Sequence, residues 1–298
     1  NKIIGTVHEL LPPDFLAKTT NVPTATAPRA GDLQSPSVAS STSERRLQVV
    51  GTGNPPPKSP TDSLATLRTK PGLTVELVAA EPLVTSPVAI DFGTEGRLWV
   101  VEMADYPMGS DGNWKPGGRV KFLTRSRPDG PFDRATLFLD GLPFPTGVMA
   151  WRKGALICAA PDIIYAEDTN GDGKADVVRK LYTGFETNNY QARVNSLSLG
   201  LDNWVHGANG LLGGDIAVGD DVRSLTSESA IANRQSPTSQ SLLTSAATKA
   251  VNIRGRDFRF RPDTGEFEAT SGLTQQGRAR DDFGNWFGCH NSTFAYHY

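Results

Sequence analysis

Hydrophobic and polar residues alternate in short runs through most of the chain after residue 70. In the run 73–78, Leu73, Val75 and Leu77 lie on one side, as in a half-buried β-strand. Comparable runs follow at 86–92, 97–102, 119–123 and 136–139. We find no convincing amphipathic helix in this part of the sequence, so the pattern predicts an all-β fold.

A turn followed by a short apolar strand recurs four times. The copies are Gly96-Arg97-Leu98-Trp99-Val100, Gly154-Ala155-Leu156-Ile157-Cys158, Asp202-Asn203-Trp204-Val205-His206 and Gly284-Asn285-Trp286-Phe287-Gly288. A second repeat has a constant offset of 43 residues, which relates Asp129-Gly130 and Asp133 to Asp172-Gly173 and Asp176. A repeat of this length indicates one supersecondary unit per copy.

Each unit is predicted to hold four strands. In the second unit these are 146–151, 155–160, 162–167 and 177–184. Four antiparallel strands in about 45 residues are the signature of a β-propeller blade. We therefore predict a β-propeller with four-stranded antiparallel blades.

The repeats predict an incomplete propeller. The third unit runs from residue 194 to about 271 and carries a Ser/Thr-rich insertion, 222–250, which we expect to be an exposed loop. The fourth unit begins at Gly277 and is predicted to stop after two strands, at Tyr298, which gives about three and a half blades. Because closed propellers have about four to eight blades, we expect the chain to be the N-terminal part of a longer protein, in which the strand 73–78 completes the last blade.

Residues 1–70 differ in composition from residues 71–298. They contain 9 of the 21 prolines and 17 Ser or Thr residues, and Phe15 is their only aromatic residue. Such a segment cannot bury enough apolar surface to offset the entropy of ordering. We predict a disordered linker over 1–70, with a short helical turn at 63–70, and the partial propeller over 71–298.

Charge and cysteine content exclude several classes of protein. The net charge of −2 gives no electrostatic reason to expect nucleic acid or an anionic membrane as a partner. No apolar run approaches the roughly 18 residues of a membrane span. The residues after Asn1 carry no secretion signal, so we expect a processed or partial product.

Cys158 and Cys289 form no CxxC or CxxCH motif, and Cys158 is predicted to be a buried, inert thiol.

The segment 168–176 reads D-T-N-G-D-G-K-A-D, which is a calcium-loop pattern. The predicted ligands are the side chains of Asp168, Asn170, Asp172 and Asp176 and the main-chain carbonyl of Lys174. The flanking residues indicate strands rather than the helices of an EF-hand. The alternative is a polar turn without a metal, which the same residues would also form.

The related loop in the first unit tests the calcium interpretation. At the offset of 43 residues, Arg125 and Arg127 occupy the positions of Asp168 and Asn170. Two cations cannot replace two oxygen ligands, so we expect no calcium in this copy. Asp133 is retained there, which indicates that part of the motif is turn chemistry shared between blades.

Several longer segments carry a resemblance to a known family. They are 71–83 (PGLTVELVAAEPL), 96–103 (GRLWVVEM), 138–148 (FLDGLPFPTGV), 158–163 (CAAPDI), 200–204 (GLDNW) and 254–260 (RGRDFRF). Together they resemble the N-terminal propeller of the planctomycete-type membrane-bound dehydrogenase proteins with c-type haem. The resemblance covers about residues 63–298.

The resemblance implies a fold and an activity. Members of this family resemble quinoprotein sugar dehydrogenases, which implies pyrroloquinoline quinone as a cofactor. Many continue into a helical-repeat region and a haem c domain with a CxxCH motif, and neither is present in this sequence. Some members have the pattern H-R-V-N, whose His corresponds to a catalytic base, whereas this chain has Ala192-Arg193-Val194-Asn195.

Two functions remain open at this point, and no catalytic residue can be named for either. The first is the propeller of an extracytoplasmic dehydrogenase, in the periplasm or at the cell surface, that oxidises a sugar or alcohol. The second is a non-catalytic propeller, stabilised by calcium, that binds carbohydrate or protein. The candidate residues for the central channel are Glu102, Asp105, Arg193, Asn195 and Asn209. For each of them, hydrogen bonding at a turn or strand end is the alternative role.

Overall fold

The computed structural model describes residues 56–219 and 250–298. These residues form one short helix and four antiparallel sheets. Helix α1 (Pro60–Ala65) begins after Ser59, whose hydroxyl accepts a hydrogen bond from the amide of Asp62 at 3.1 Å. It therefore begins three residues before the predicted helical turn. Residues 1–55 of the predicted linker lie outside the described residues.

The first sheet contains the four strands predicted for the first unit. They are β1 (Pro87–Phe92), β2 (Leu98–Glu102), β3 (Gly118–Thr124) and β4 (Arg134–Leu142). They pair in sequence order, each antiparallel to the next. This meander is the four-stranded blade that the repeat predicts.

The second sheet contains the predicted strands and two more. Its first four strands are β5 (Gly147–Trp151), β6 (Gly154–Ala159), β7 (Asp162–Glu167) and β8 (Val177–Phe185). β11 (Gly214–Val218) then pairs with β8, and β12 (Val251–Asn252) pairs with β11. A Cβ atom at Gly214 would lie 2.2 Å from the carbonyl oxygen of Gly184, so glycine permits this close approach.

β11 and β12 flank the predicted insertion. Of residues 222–250, only Ala250 lies within the described part of the chain, where it is exposed. The prediction of an exposed loop therefore falls almost wholly outside the described residues.

The third and fourth sheets continue the repeat. The third consists of β9 (Asn195–Leu199), β10 (Val205–Ala208), β13 (Asp257–Arg261) and β14 (Glu266–Thr270). The fourth consists of β15 (Gln276–Arg280), β16 (Trp286–His290) and β17 (Thr293–His297). The prediction of two strands in the fourth unit was wrong, because a two-residue turn after β16 returns the chain as β17.

The hydrophobic cores lie between neighbouring sheets. β6 is buried at every position because it has a sheet on each side. Leu156 and Cys158 contribute to the core shared with the third sheet, whereas Ala155 and Ile157 contribute to the core shared with the first. Cys158 is fully buried, as predicted, and burial raises the pKa of its thiol.

The predicted strand at 73–78 does not form. Its apolar side chains are exposed, Leu73 by 64% and Leu77 by 46%. A strand needs a partner for its amide and carbonyl groups, and the described residues provide none for this segment.

The sheets are blades of the β-propeller type, arranged so that their inner strands β1, β5, β9 and β15 lie side by side. The protein is therefore an all-β protein with four-stranded antiparallel blades, as the sequence predicts. The helix found in the described part of the chain is too short to cross a membrane.

Hydrogen bonds between side chains and the backbone link neighbouring inner strands or the residues immediately before them. The three bonds join Ala150 N to Asp91 Oδ2 at 2.7 Å, Thr146 Oγ1 to Val194 O at 2.5 Å, and Asn195 Nδ2 to Gln275 O at 2.7 Å. Hydrophobic contacts have no direction, so these bonds fix the register between blades.

The substitution Thr146→Val tests these links. It keeps the shape of the side chain but leaves the Val194 carbonyl without this donor, so we expect the free energy of unfolding to fall by about 1 kcal/mol. Urea unfolding followed by tryptophan fluorescence measures the change. Thr183→Val on β8 is the control, and an equal loss in both variants would contradict the role of the link.

Candidate functional site

A cavity of about 1010 Å³ opens where the four inner strands begin. Its wall includes residues 87–90 of β1, 147–148 of β5, 195–197 of β9 and 276–277 of β15. Residues before these strands complete the wall, together with Met103 and Tyr106 after β2 and Cys289 and Asn291 at the end of β16. The cavity therefore lies at the central channel of the propeller, where such folds hold their ligands.

Carboxamides and hydroxyl groups dominate the polar part of this wall. These polar residues are Gln191, Asn195, Gln275, Gln276, Asn291, Tyr106, Tyr190, Ser86, Thr146 and Ser196. Arg193 is the cation among the described lining residues, and Asp, Glu and His are absent from that set. The wall is therefore rich in neutral donors and acceptors.

Hydrogen bonds hold the carboxamides in place. The side-chain amide of Gln191 donates to the Tyr106 hydroxyl at 2.8 Å. Asn195 donates to the carbonyl oxygens of Arg193 and Gln275, and Gln275 accepts from the amide of Asn291 at 3.1 Å. The wall is thus a connected network rather than a set of independent side chains.

Arg193 is a buried member of the wall. Its guanidinium carbon lies 4.4 Å from the centre of the Tyr190 ring and 5.0 Å from that of Phe144. Nη2 donates to the carbonyl oxygen of Thr187 at 2.9 Å. Burial is the main cause that lowers the pKa of Arg193, although Tyr190 and Asp105 oppose it.

Glu102 lies outside the lining of the cavity. Its carboxylate is the centre of an ion-pair network in the first blade. Its carboxylate accepts from Arg119 Nε at 2.5 Å, from Lys121 Nζ at 2.9 Å and from the amide of Thr85 at 2.8 Å. Burial alone would raise the pKa of Glu102, but the hydrogen bonds from Lys121, Thr85 and Arg119 outweigh it and lower the pKa.

Asp105 and Asn209 also lie outside the lining of the cavity. Asp105 is fully buried and accepts from the amides of Phe144 and Gly117, at 2.8 Å and 3.3 Å. It therefore positions the loop whose Phe144 packs on Tyr190. Asn209 donates to the carbonyl oxygen of Ile253 at 3.3 Å. Of the five channel candidates, the structure brings only Arg193 and Asn195 together in the cavity lining.

The loop residues of the site carry no periodic pattern in the sequence. Tyr106 lies in the loop between β2 and β3, and Tyr190, Gln191 and Gln275 lie before inner strands. One signal was available. Gln276 begins β15 as the candidate Asn195 begins β9, so aligning the fourth unit on the third would have indicated Gln276.

The loop 168–176 is a turn stabilised by hydrogen bonds from its own backbone amides to its own side chains. Asp168 accepts from the amides of Gly171 and Gly173, at 2.6 Å and 2.8 Å. Burial of Asp168 would raise its pKa, but these amide bonds lower it overall. Asn170 and Asp172 each accept from the amide two residues further on.

The last Asp of this loop matches its counterpart in the first blade. The amide of Thr169 donates to Asp176 at 3.2 Å, and 43 residues earlier the amide of Ser126 donates to Asp133 at 2.9 Å. Across residues 56–219 and 250–298, His, Cys, Asp and Glu side chains form no group of three that could hold a metal ion. The loop therefore has the composition of a calcium loop and the hydrogen bonds of a plain turn.

The comparisons place the chain in a family. Residues 59–298 match the family described as "Domain of unknown function (DUF7133)", and the chain belongs to this family. No curated protein matches it. One similar solved structure is a catalytically inactive variant of virginiamycin B lyase from Staphylococcus aureus with quinupristin. It has 13% identity and a TM-score of 0.27, over 74% of this chain and 86% of that chain.

The substitution Glu102→Gln tests the structural role of this residue. It leaves Arg119 and Lys121 without their carboxylate, so we expect a loss of about 3 kcal/mol in the free energy of unfolding. Glu268→Gln, in an exposed pair with Arg259, is the control and should cost less than about 1 kcal/mol. Equal losses in urea unfolding would contradict this role.

The same variant has a predicted pH dependence. The pKa of Glu102 is lower in the folded protein than its ordinary value of 4.5, so the ionised carboxylate stabilises the folded state fully above pH 4.5. This stabilisation is lost as the pH falls through the pKa that Glu102 has in the folded protein. We therefore expect stability to fall less steeply in acid for Glu102→Gln than for the wild type, and parallel curves would contradict this.

Proposed function

We propose that the protein binds a carbohydrate in the cavity formed by its inner strands. The observation that carries this proposal is the wall of five carboxamides. Sugar hydroxyl groups both donate and accept hydrogen bonds, as carboxamides do. The cavity of about 1010 Å³ has room for several sugar units.

The dehydrogenase implied by the planctomycete-type resemblance is the second candidate. Such an enzyme needs a group that accepts the substrate proton. Ala192 occupies the position where the resemblance expects His, and it is buried. The described wall supplies Arg193 and no carboxylate or imidazole, so the geometry supports binding better than proton abstraction.

The described lining also fits the implied quinone poorly. Pyrroloquinoline quinone carries its three carboxylates on one rigid ring system, so they would enter the cavity together, whereas the described lining has one cationic side chain, Arg193. We assign no step to the quinone. An extracytoplasmic location and a haem c domain elsewhere in the protein rest on the resemblance alone.

Calcium stabilisation is part of this proposal. Asp168, Asn170, Asp172 and Asp176, with the carbonyl of Lys174, would hold the ion and stiffen the turn between β7 and β8. We expect EGTA to lower the melting temperature of the wild type and not that of Asp172→Ala. Asp129→Ala, at the matching position 43 residues earlier, should retain the response. If EGTA leaves the melting temperature of the wild type unchanged, the loop is a turn without bound calcium.

Isothermal titration with maltotriose, cellotriose, galactotriose and trigalacturonate tests binding. We expect at least one of these to bind, and Gln191→Ala to weaken that binding by about three- to tenfold through loss of one hydrogen-bonding side chain. Asn252→Ala removes an exposed carboxamide on β12, outside the cavity lining, and should bind as the wild type does. Absence of binding by all four sugars would overturn the proposal.

A dye-reduction assay separates the two candidates. With pyrroloquinoline quinone and the same sugars, a binding protein should reduce no dye. Reduction above the level without protein would instead support the dehydrogenase.

A further inference from the structure

Arg193 is a buried cation without a carboxylate partner in the described part of the chain. Its residue is only 5% exposed, and its Nε atom has no hydrogen-bond partner among the described residues. The one described bond of the guanidinium, from Nη2 to the carbonyl of Thr187, is to a neutral group. Buried charges are normally paired, so this position is exceptional.

The neighbouring blade shows the usual arrangement. Arg278 is also buried, and it forms an ion pair with Asp257 at 2.5 Å. Asp105 is the acidic residue whose charge acts on Arg193, but it forms no described ion pair with it. Asp105 accepts the amides of Phe144 and Gly117 at Oδ2, and its Oδ1 has no hydrogen-bond partner among the described residues. The described residues therefore give Arg193 no ion pair, although Arg193 lines the cavity.

The surroundings restrain the guanidinium of Arg193. The rings of Tyr190 and Phe144 pack against it, and its bond to Thr187 restrains its rotation. A planar guanidinium of this kind binds a carboxylate through two parallel hydrogen bonds. One cation matches the single charge of a carboxylate better than the double charge of a phosphate monoester.

We propose that Arg193 is an anion subsite of the cavity and that the ligand is an acidic carbohydrate of the uronic-acid class. Its carboxylate pairs with the guanidinium, and its hydroxyl groups bond to the carboxamides of the wall. This inference rests on the proposed carbohydrate function and specifies the class of sugar.

Trigalacturonate and its trimethyl ester form a matched pair of probes, because they differ only at their carboxyl groups, where a neutral methyl ester replaces each carboxylate. Isothermal titration of the full chain should show roughly tenfold or greater preference for the acid. Arg193→Gln should abolish the preference, and Arg193→Lys should retain part of it, because Lys keeps the charge and loses the planar geometry.

Arg152→Gln is the control for net charge. Arg152 is 62% exposed, pairs with Asp263 and lies outside the lining of this cavity. This variant should keep the full preference for the acid. If Arg152→Gln reduces the preference as much as Arg193→Gln does, the effect is one of overall charge and the subsite is wrong.

The wild-type comparison decides the matter even if Arg193→Gln does not fold. Equal affinity for the acid and the ester overturns the anion subsite and leaves the carbohydrate function standing. Binding of neither probe, together with failure of the neutral trisaccharides, overturns both.

Discussion

The hydrogen bonds between neighbouring inner strands are the constraint on which the rest of the structure depends. Burial of apolar side chains holds the sheets face to face, but it does not determine where one strand begins relative to the next. The bonds from Thr146 to Val194 and from Asn195 to Gln275 do so. Because these strands also begin at the cavity, the bonds that align the blades also shape the site.

A buried ion pair strengthens the same arrangement between the third and fourth sheets. Asp257 accepts from Arg278 and from the hydroxyl and amide of Thr274, so its carboxylate is well satisfied. The hydroxyl of Thr274 also contacts that of Tyr298. An arrangement of the two sheets that broke this network would leave buried charged and polar groups without partners. The network therefore favours one arrangement of the two sheets over alternatives. Arg193, with no such partner described, differs from Arg278 in this respect.

Local alternation and repetition predicted most of the fold. β6, for example, was evident because both of its faces are covered and its sequence is continuously apolar. Strand 73–78 showed a similar pattern, yet it does not form, since pairing depends on a partner that a local pattern cannot reveal. The pairing of β11 with β8 depends on the close approach of Gly214 to Gly184, which no alternation indicates.

The site was less predictable because it combines residues distant in sequence. Arg193 and Asn195 could be proposed from their place at the start of a unit. Glu102 and Asp105 are also acidic residues. However, the carboxylate of Glu102 binds Lys121 and Arg119, and that of Asp105 accepts hydrogen bonds from backbone amides. A sequence gives the type of side chain, whereas the distinction between a binding group and a structural one depends on its partners.

The most direct test of this account is amide hydrogen exchange of the full chain with and without trigalacturonate. We expect slower exchange at 190–197 and 275–277, where the inner strands form the cavity wall, and unchanged exchange at 168–176. Protection confined to 168–176, or to outer strands such as β4 and β14, would contradict the assignment of the cavity as the binding site.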